Sequence, residues 1–324
     1  DEPHRALVRE CLTRDFNFSQ FLCAELLPAS ITTVKEMVML PCQDNTKCLS
    51  IFLYCLFVEL AASMGPKNLD GSLYMTEAKW LEFESGWEAM NHLAEESEQD
   101  IYDRIMYKKA ENLGLPFVKS KPESRAVVRL ALLCRVMEPG QGRKVQAAFE
   151  SLAAEDQKNL SKYLTMDGLT QKPAFILDHS STFLENALKN GEVGLDAALK
   201  ILLNVYQCAE KEFKNSTRAM VTVRLERLAS FAKDFGGSVT FQDLPFDLHR
   251  KKEYEAIVVP KMWIPVTNQS ILNELAEKGK LLAKELLAGQ ISERPFNVRM
   301  LRAFPELSYF NTNAEDKRVQ TQCA

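Results

Sequence analysis

Glycine and proline are scarce, thirteen of each in 324 residues. Sheets rich in tight turns need more of both, so the balance tilts towards helices. A basic surplus is also missing: the formal net charge is -4 and the pI about 5.8. Dedicated nucleic-acid binders more often carry such a surplus, so nucleic acid is not an expected partner. No apolar run reaches the roughly 20 residues that a bilayer span requires. The most apolar stretch, Leu49 to Ala62, is interrupted by Glu59 and reads as a buried core helix, with no membrane span expected.

The usual chemical signatures are absent as well. There is no GxSxG turn for a hydrolase serine and no GxxxxGK[ST] phosphate loop. No CxxC pair occurs, and Cys42, Cys48 and Cys55 are too widely spaced for a zinc knuckle, with no histidine beside them. The four histidines, His4, His92, His179 and His249, do not form a ligand set. Glu88, His92 and Glu95 form one group in the wrong order for a di-iron bundle. Neither a metal site nor a cofactor is expected. No repeat of fixed period argues for a solenoid.

What is present describes a folded chain. The apolar fraction of 46% and charged fraction of 26% are ordinary for a globular protein. Of eight cysteines, Cys55 and Cys134 sit inside apolar helical runs and read as small core residues. A chain of this length does not depend on disulfides, which favours an intracellular, cytoplasmic location. The sequons at Asn17 and Asn215 are the one counter-signal.

Helical signals follow one another along the chain. Thr33 with Glu36 reads as a capping box before an apolar run that Pro41 would stop. Asp44 or Asn45 suits the cap of the next helix, and Gly65 with Pro66 its end. Over 76–112 strong helix formers dominate, with Trp80, Phe83, Trp87, Met90 and Ala94 near one face. Gly114 and Pro116 close that region, and Pro122 suits the first turn of another helix. The loop Glu138 to Lys144 precedes two short helices near 143–152 and 155–165. Thr182 with Glu185 reads as a second capping box, ended by Asn190 and Gly191. Leu195, Leu199, Leu202, Leu203 and Tyr206 form a stripe at three and four spacing. A further helix is expected over 217–235, ended by Gly236 and Gly237.

The character changes at 238–267, where short extended segments alternate with Pro245, Pro260 and Pro265. This reads as a long ordered loop with a small hairpin. A last helix begins at Ser270, and a polar tail follows Pro305. The expected fold is all-α or nearly so, about ten helices with one irregular segment at 238–267. The expected division is an N-terminal lobe over 1–115, a C-terminal lobe over 122–304 and a tail over 305–324, within what is allowed to be a single domain.

Three clusters carry chemical candidates. Asp178 and His179, with Ser180 and Ser181, stand before the Thr182 signal, where polar groups bind anions or orient a base. The plainer reading is a turn whose side chains satisfy backbone donors. Gly140, Gly142, Arg143 and Lys144 suit a phosphate at a helix start, against the alternative of an exposed turn. Arg250, Lys251 and Lys252, with Tyr254, suit contacts to phosphate or to an acidic protein. Trp263 reads as core or as a partner anchor. The acidic run that includes Glu77, Glu82, Glu84, Glu88, Glu96, Asp100 and Asp103 reads as a solvated face, or as a surface for a basic partner. The expected function is a helical protein-protein interaction or scaffold protein without its own catalysis. The alternative is an enzyme or small-ligand binder with a polar cavity between helices near His179.

Overall fold

The computed structural model describes residues 16–39, 45–62, 76–189, 194–234 and 246–260. The readings made above at Pro41, Gly65 and Pro66, Asn190 and Gly191, Gly236 and Gly237, Trp263, the helix from Ser270 and the tail beyond Pro305 lie outside them.

Local sequence sets most helix ends. Asn17 caps α1 (Phe18–Leu22), its Oδ1 accepting the Gln20 N–H at 3.0 Å. A 3₁₀ turn, Pro28–Ile31, runs directly into α2 (Thr32–Val38), so Thr33 lies inside the helix and not at its cap. Helix α3 spans Asn45–Ala62. The stretch expected to be helical over 76–112 is two helices, α4 (Glu77–Met90) and α5 (Glu98–Leu113). Ser97 starts the second, its Oγ accepting the Asp100 N–H at 3.1 Å. Gly114 ends it at φ 64°, a left-handed backbone that a side chain would strain.

The centre of the helical body is α6 (Pro122–Leu133), with Pro122 in its first turn as its sequence predicts. Every residue from Ala126 to Leu133 is buried, because α5, α7, α8 and α9 all pack on it. Helix α7 spans Pro139–Glu150 and α8 spans Ala154–Leu164. Among the described residues α9 (Ser180–Lys189), α10 (Leu195–Glu212) and α11 (Glu226–Asp234) complete eleven α-helices. The stripe read on α10 is buried in full, at Leu195, Leu199, Leu202, Leu203 and Tyr206. Phe18, Phe21, Phe52, Phe83 and Tyr102 form one aromatic cluster of the core.

The fold is mostly helical, but it is not all-α. Four strands form a mixed sheet in the order β1-β2-β4-β3, with β1 (Ala174–Asp178), β2 (Met220–Arg224) and β4 (Glu255–Pro260) parallel and β3 (Phe246–Lys252) antiparallel to β4. The crossover from β1 to β2 carries α9 and α10. Two signals concealed the sheet. Strand β1 is buried on both faces, so its residues show no period-2 alternation. Strand β2 does alternate, with Val221 and Val223 buried, but it is five residues long and α11 begins after one further residue. The helix expected over 217–235 therefore starts only at Glu226. The hairpin anticipated within 238–267 is real as β3–β4. Its second strand joins the larger sheet through β2, which pairs Arg224 with Ile257.

Candidate functional site

Two polar regions stand out, one internally paired and one an open cleft. The paired one lies at the carboxyl end of β1, with Glu25 and Ser181 buried and the His179, Arg135 and Arg224 side chains half-exposed. Asp178 ends that strand, its main-chain carbonyl accepting the Leu225 N–H at 2.8 Å and its Oδ1 accepting the Gln20 amide at 3.0 Å. His179 turns the chain into α9 at φ 66°. Its Nε2 lies 3.8 Å from Asp178 Oδ2, too far for a hydrogen bond. The start of α9 is capped from a distance. Glu25, 4% exposed, accepts both the Ser181 N–H (2.8 Å) and the Ser181 hydroxyl (2.6 Å) on Oε1. The carboxylate thus satisfies an orphan donor and meets the positive end of the helix. Thr182, expected as the cap, is inside the helix.

Arg135 completes this knot, donating to Ser181 Oγ and to Glu185 Oε2, each at 2.9 Å. Burial, with the Glu25 charge adding to it, pushes the Cys23 thiol up to about 11. The three non-glycine residues with left-handed φ among the described ones are Ala24 (62°), Arg135 (50°) and His179 (66°), all within or beside this network. Beneath it the buried Arg129 donates to the carbonyls of Ala24 (3.1 Å) and Leu164 (2.8 Å).

The other candidate residues are dispersed. On β3, Arg250 pairs with Ala256 and shares its face of the sheet, opposite the face of Asp178 and Arg224. There its guanidinium stands 5.0 Å over the Phe213 ring and 3.9 Å from Glu212. Lys252 pairs with Glu255 at 3.2 Å, and Tyr254 in the hairpin turn receives Arg218 over its ring at 5.3 Å. The run from His249 to Lys252 is exposed on the edge strand, where charge protects an open ladder from pairing with another chain. Gly140 to Lys144 are not a loop but the first turns of α7. A Cβ on Gly142 would meet Leu113 at 3.4 Å and Leu115 at 3.6 Å, so this glycine serves close packing, while Arg143 and Lys144 are exposed.

The open region is a cleft of about 930 Å³ between α4 and α5. On α5 and the turn before it, Glu96, Asp100, Asp103 and Tyr107 recur at four, three and four residues and so share one face. Glu88 and His92 line the opposite wall, and Phe117 and Lys119 the rim. Asp103 is 5% exposed. Its Oδ1 meets Arg125 at 2.8 Å and accepts the Gln99 amide at 2.9 Å. Its Oδ2 is buried without a hydrogen bond, and the Lys119 ammonium stands 3.5 Å away. Burial raises the Asp103 pKa, and Arg125 opposes the rise. The pKa of Asp100 is lowered, chiefly by its hydrogen bond from Lys119. A second groove of about 510 Å³, with Leu22, Leu81 and Met137 beside charged residues in its walls, shares Ser85, Glu88 and Lys108 with the cleft.

A family model described as "Family of unknown function (DUF6829)" matches residues 3–246. The chain belongs to the DUF6829 family. The matched stretch contains both polar regions. No curated protein and no solved structure matches the chain.

Within this DUF6829 chain, four residues that organise these regions were not singled out from sequence: Glu25, Arg135, Arg224 and Arg125. Arg224 stands between Asp178 (3.7 Å), Glu226 (2.9 Å) and Glu255 (3.8 Å). None of the four sits in a motif, and each acts on residues distant in the chain. The signal for Asp103 was available in part, since the acidic run contains it. That run is not solvated throughout: Asp103 is buried against Arg125. Among the described residues no group of three or more His, Cys, Asp and Glu converges as metal ligands, and no helix is long and apolar enough to cross a membrane.

Proposed function

We propose that the protein is an intracellular, cytoplasmic interaction module without catalysis of its own, which engages a protein partner through the cleft between α4 and α5. The observation that carries this reading is the cleft itself. It is open and wide, and it combines charged walls with the exposed ring of Tyr107 (57% exposed) stacked edge-on with Phe117 at 6.3 Å. Aromatic anchors are enriched at interface centres, and charged groups around them steer a partner and set its specificity. The paired region at the end of β1 supports the same reading from the other side. Asp178 and His179 stand too far apart to pass a proton directly, the Ser181 hydroxyl is fully buried, and the raised Cys23 pKa disfavours the nucleophilic thiolate.

The test is a photo-crosslinking side chain at position 107 in the full chain, with the same group at position 254 on the hairpin as a control. The cross-linked partner is then purified and its binding measured against the chain and a Tyr107→Ala, Phe117→Ala variant. The reading expects a partner captured from 107 only, with affinity lowered by about 2 kcal/mol or more in the variant, the scale of an interface hot spot. Equal binding by the variant removes the cleft from the interaction.

A second reading, a small-ligand site near His179, is favoured by one observation: the left-handed residues Ala24, Arg135 and His179 gather there, and backbone strain of this kind concentrates at functional sites. Asp178 and Arg224 also end parallel strands, where ligands of open sheets bind. Loss of a measured ligand affinity in an Arg224→Gln chain that keeps its stability would turn the choice to this reading.

A further inference from the structure

We infer that the cleft between α4 and α5 receives an arginine from a basic segment of the partner protein, its guanidinium bridging Asp100 and Asp103 where the ammonium of Lys119 now sits. This rests on the interaction reading above and names the chemistry of the partner.

The first support is Asp103. A carboxylate oxygen that is buried, faces a cleft and lacks a hydrogen bond is costly unless a donor completes it. The second is the present occupant. Lys119 bridges Asp100 Oδ1 and Asp103 Oδ2, but it reaches the latter only at 3.5 Å, and its own side chain is 59% exposed. An exposed lysine pair of this type is weak and easily displaced. A planar guanidinium carries two parallel N–H groups able to serve both carboxylates, which a point-like ammonium does less well. The third is the wall around it. Glu88 faces the cleft without an ion pair among the described residues, and the Tyr107 and Phe117 rings flank the rim, surfaces on which an arginine stacks. Arg104 is not a competitor, because Glu96 holds it through both Nε and Nη2.

The experiment measures fluorescence anisotropy of labelled octa-arginine and octa-lysine peptides with the full chain at low and at physiological salt. Octa-arginine is expected to bind several-fold more tightly than octa-lysine, through the bidentate geometry. Lys119→Met, which removes the internal competitor, is expected to tighten octa-arginine binding, about threefold or more, beyond the gain from one fewer like charge in an exposed site. Asp103→Asn and the exposed Asp100→Asn are each expected to weaken it about tenfold, and Glu253→Gln on the hairpin to leave it unchanged within about twofold. Should Asp103→Asn fail to fold, Asp100→Asn and Lys119→Met still decide. No tightening in Lys119→Met, or an equal loss in Glu253→Gln, overturns the inference, the latter by reducing binding to general charge. If the peptides fail but a partner cross-links from position 107, the interaction reading stands and this inference alone falls. If the peptides behave as expected but no protein partner uses the cleft, the interaction reading falls, and with it the partner as source of the arginine, leaving only the preference of the cleft for a guanidinium.

Discussion

The knot at the carboxyl end of β1 and the cleft between α4 and α5 both contain a buried carboxylate, yet the two are built for opposite ends. Glu25 is met by a backbone N–H and a hydroxyl of one residue, itself held by Arg135. Asp103 has one oxygen completed by Arg125 and Gln99 and the other left to an exposed lysine at longer range. The first arrangement ties the segment before the 3₁₀ turn to the sheet and α9 through residues buried in the core. The second keeps binding capacity at the surface. Buried polar groups that are fully paired specify a fold, and an incompletely paired one at a cleft is where a partner adds most.

The largest expected effect tests the closed side. Glu25→Ala leaves the buried Ser181 N–H without its acceptor and removes two charge-assisted hydrogen bonds, and is expected to cost about 2–3 kcal/mol in urea unfolding. A cost under about 1 kcal/mol would mean that the knot is ornamental and the contrast with the cleft empty.

Next comes Cys23, which reports whether the knot is sealed in solution. Its pKa of about 11 lies about two units above the ordinary value of 9.0, so at pH 8 its alkylation is expected to be roughly a hundredfold slower than that of an unperturbed thiol. The sign follows from burial favouring the neutral form. The raised pKa contributes stability at pH below the ordinary thiol value, and that contribution is lost as pH rises through about 11. Glu25→Gln, which removes a charge that raises the pKa, should speed the alkylation. An unchanged rate, measured by mass spectrometry on quenched samples, would detach the thiol from the knot.

The smallest effect belongs to the open side. Lys119→Met is expected to shift folding stability by no more than about 0.5 kcal/mol, as for exposed ion pairs generally. A large loss would show that Lys119 is a structural strut and not a placeholder, and would blur the distinction between the two regions.

Much of the helical body was legible because its signals are local. The α10 stripe, Pro122 in the first turn of α6 and Gly114 at the end of α5 each depend on residues within a few positions. The misreadings share a cause. Thr33 and Thr182 carry capping-box spacing, but a 3₁₀ turn supplies the start of α2, and Glu25, 156 residues away, supplies that of α9. The Gly140 to Lys144 run has the composition of a turn, but Pro139 opens a helix there and Gly142 packs it against Leu113. Asp178 and His179 were correctly seen as a polar helix start, while the partners of Asp178, Gln20 and Arg224, had no local mark.

From its sequence alone this chain was bound to be mostly helical, since side chains three and four positions apart decide which way a segment buries its apolar stripe. The sheet, the cap on α9 and the burial of Asp103 were decided only when distant segments met. Strand pairing and the sheltering of a charge are properties of neighbours in space, and no spacing along the chain records them.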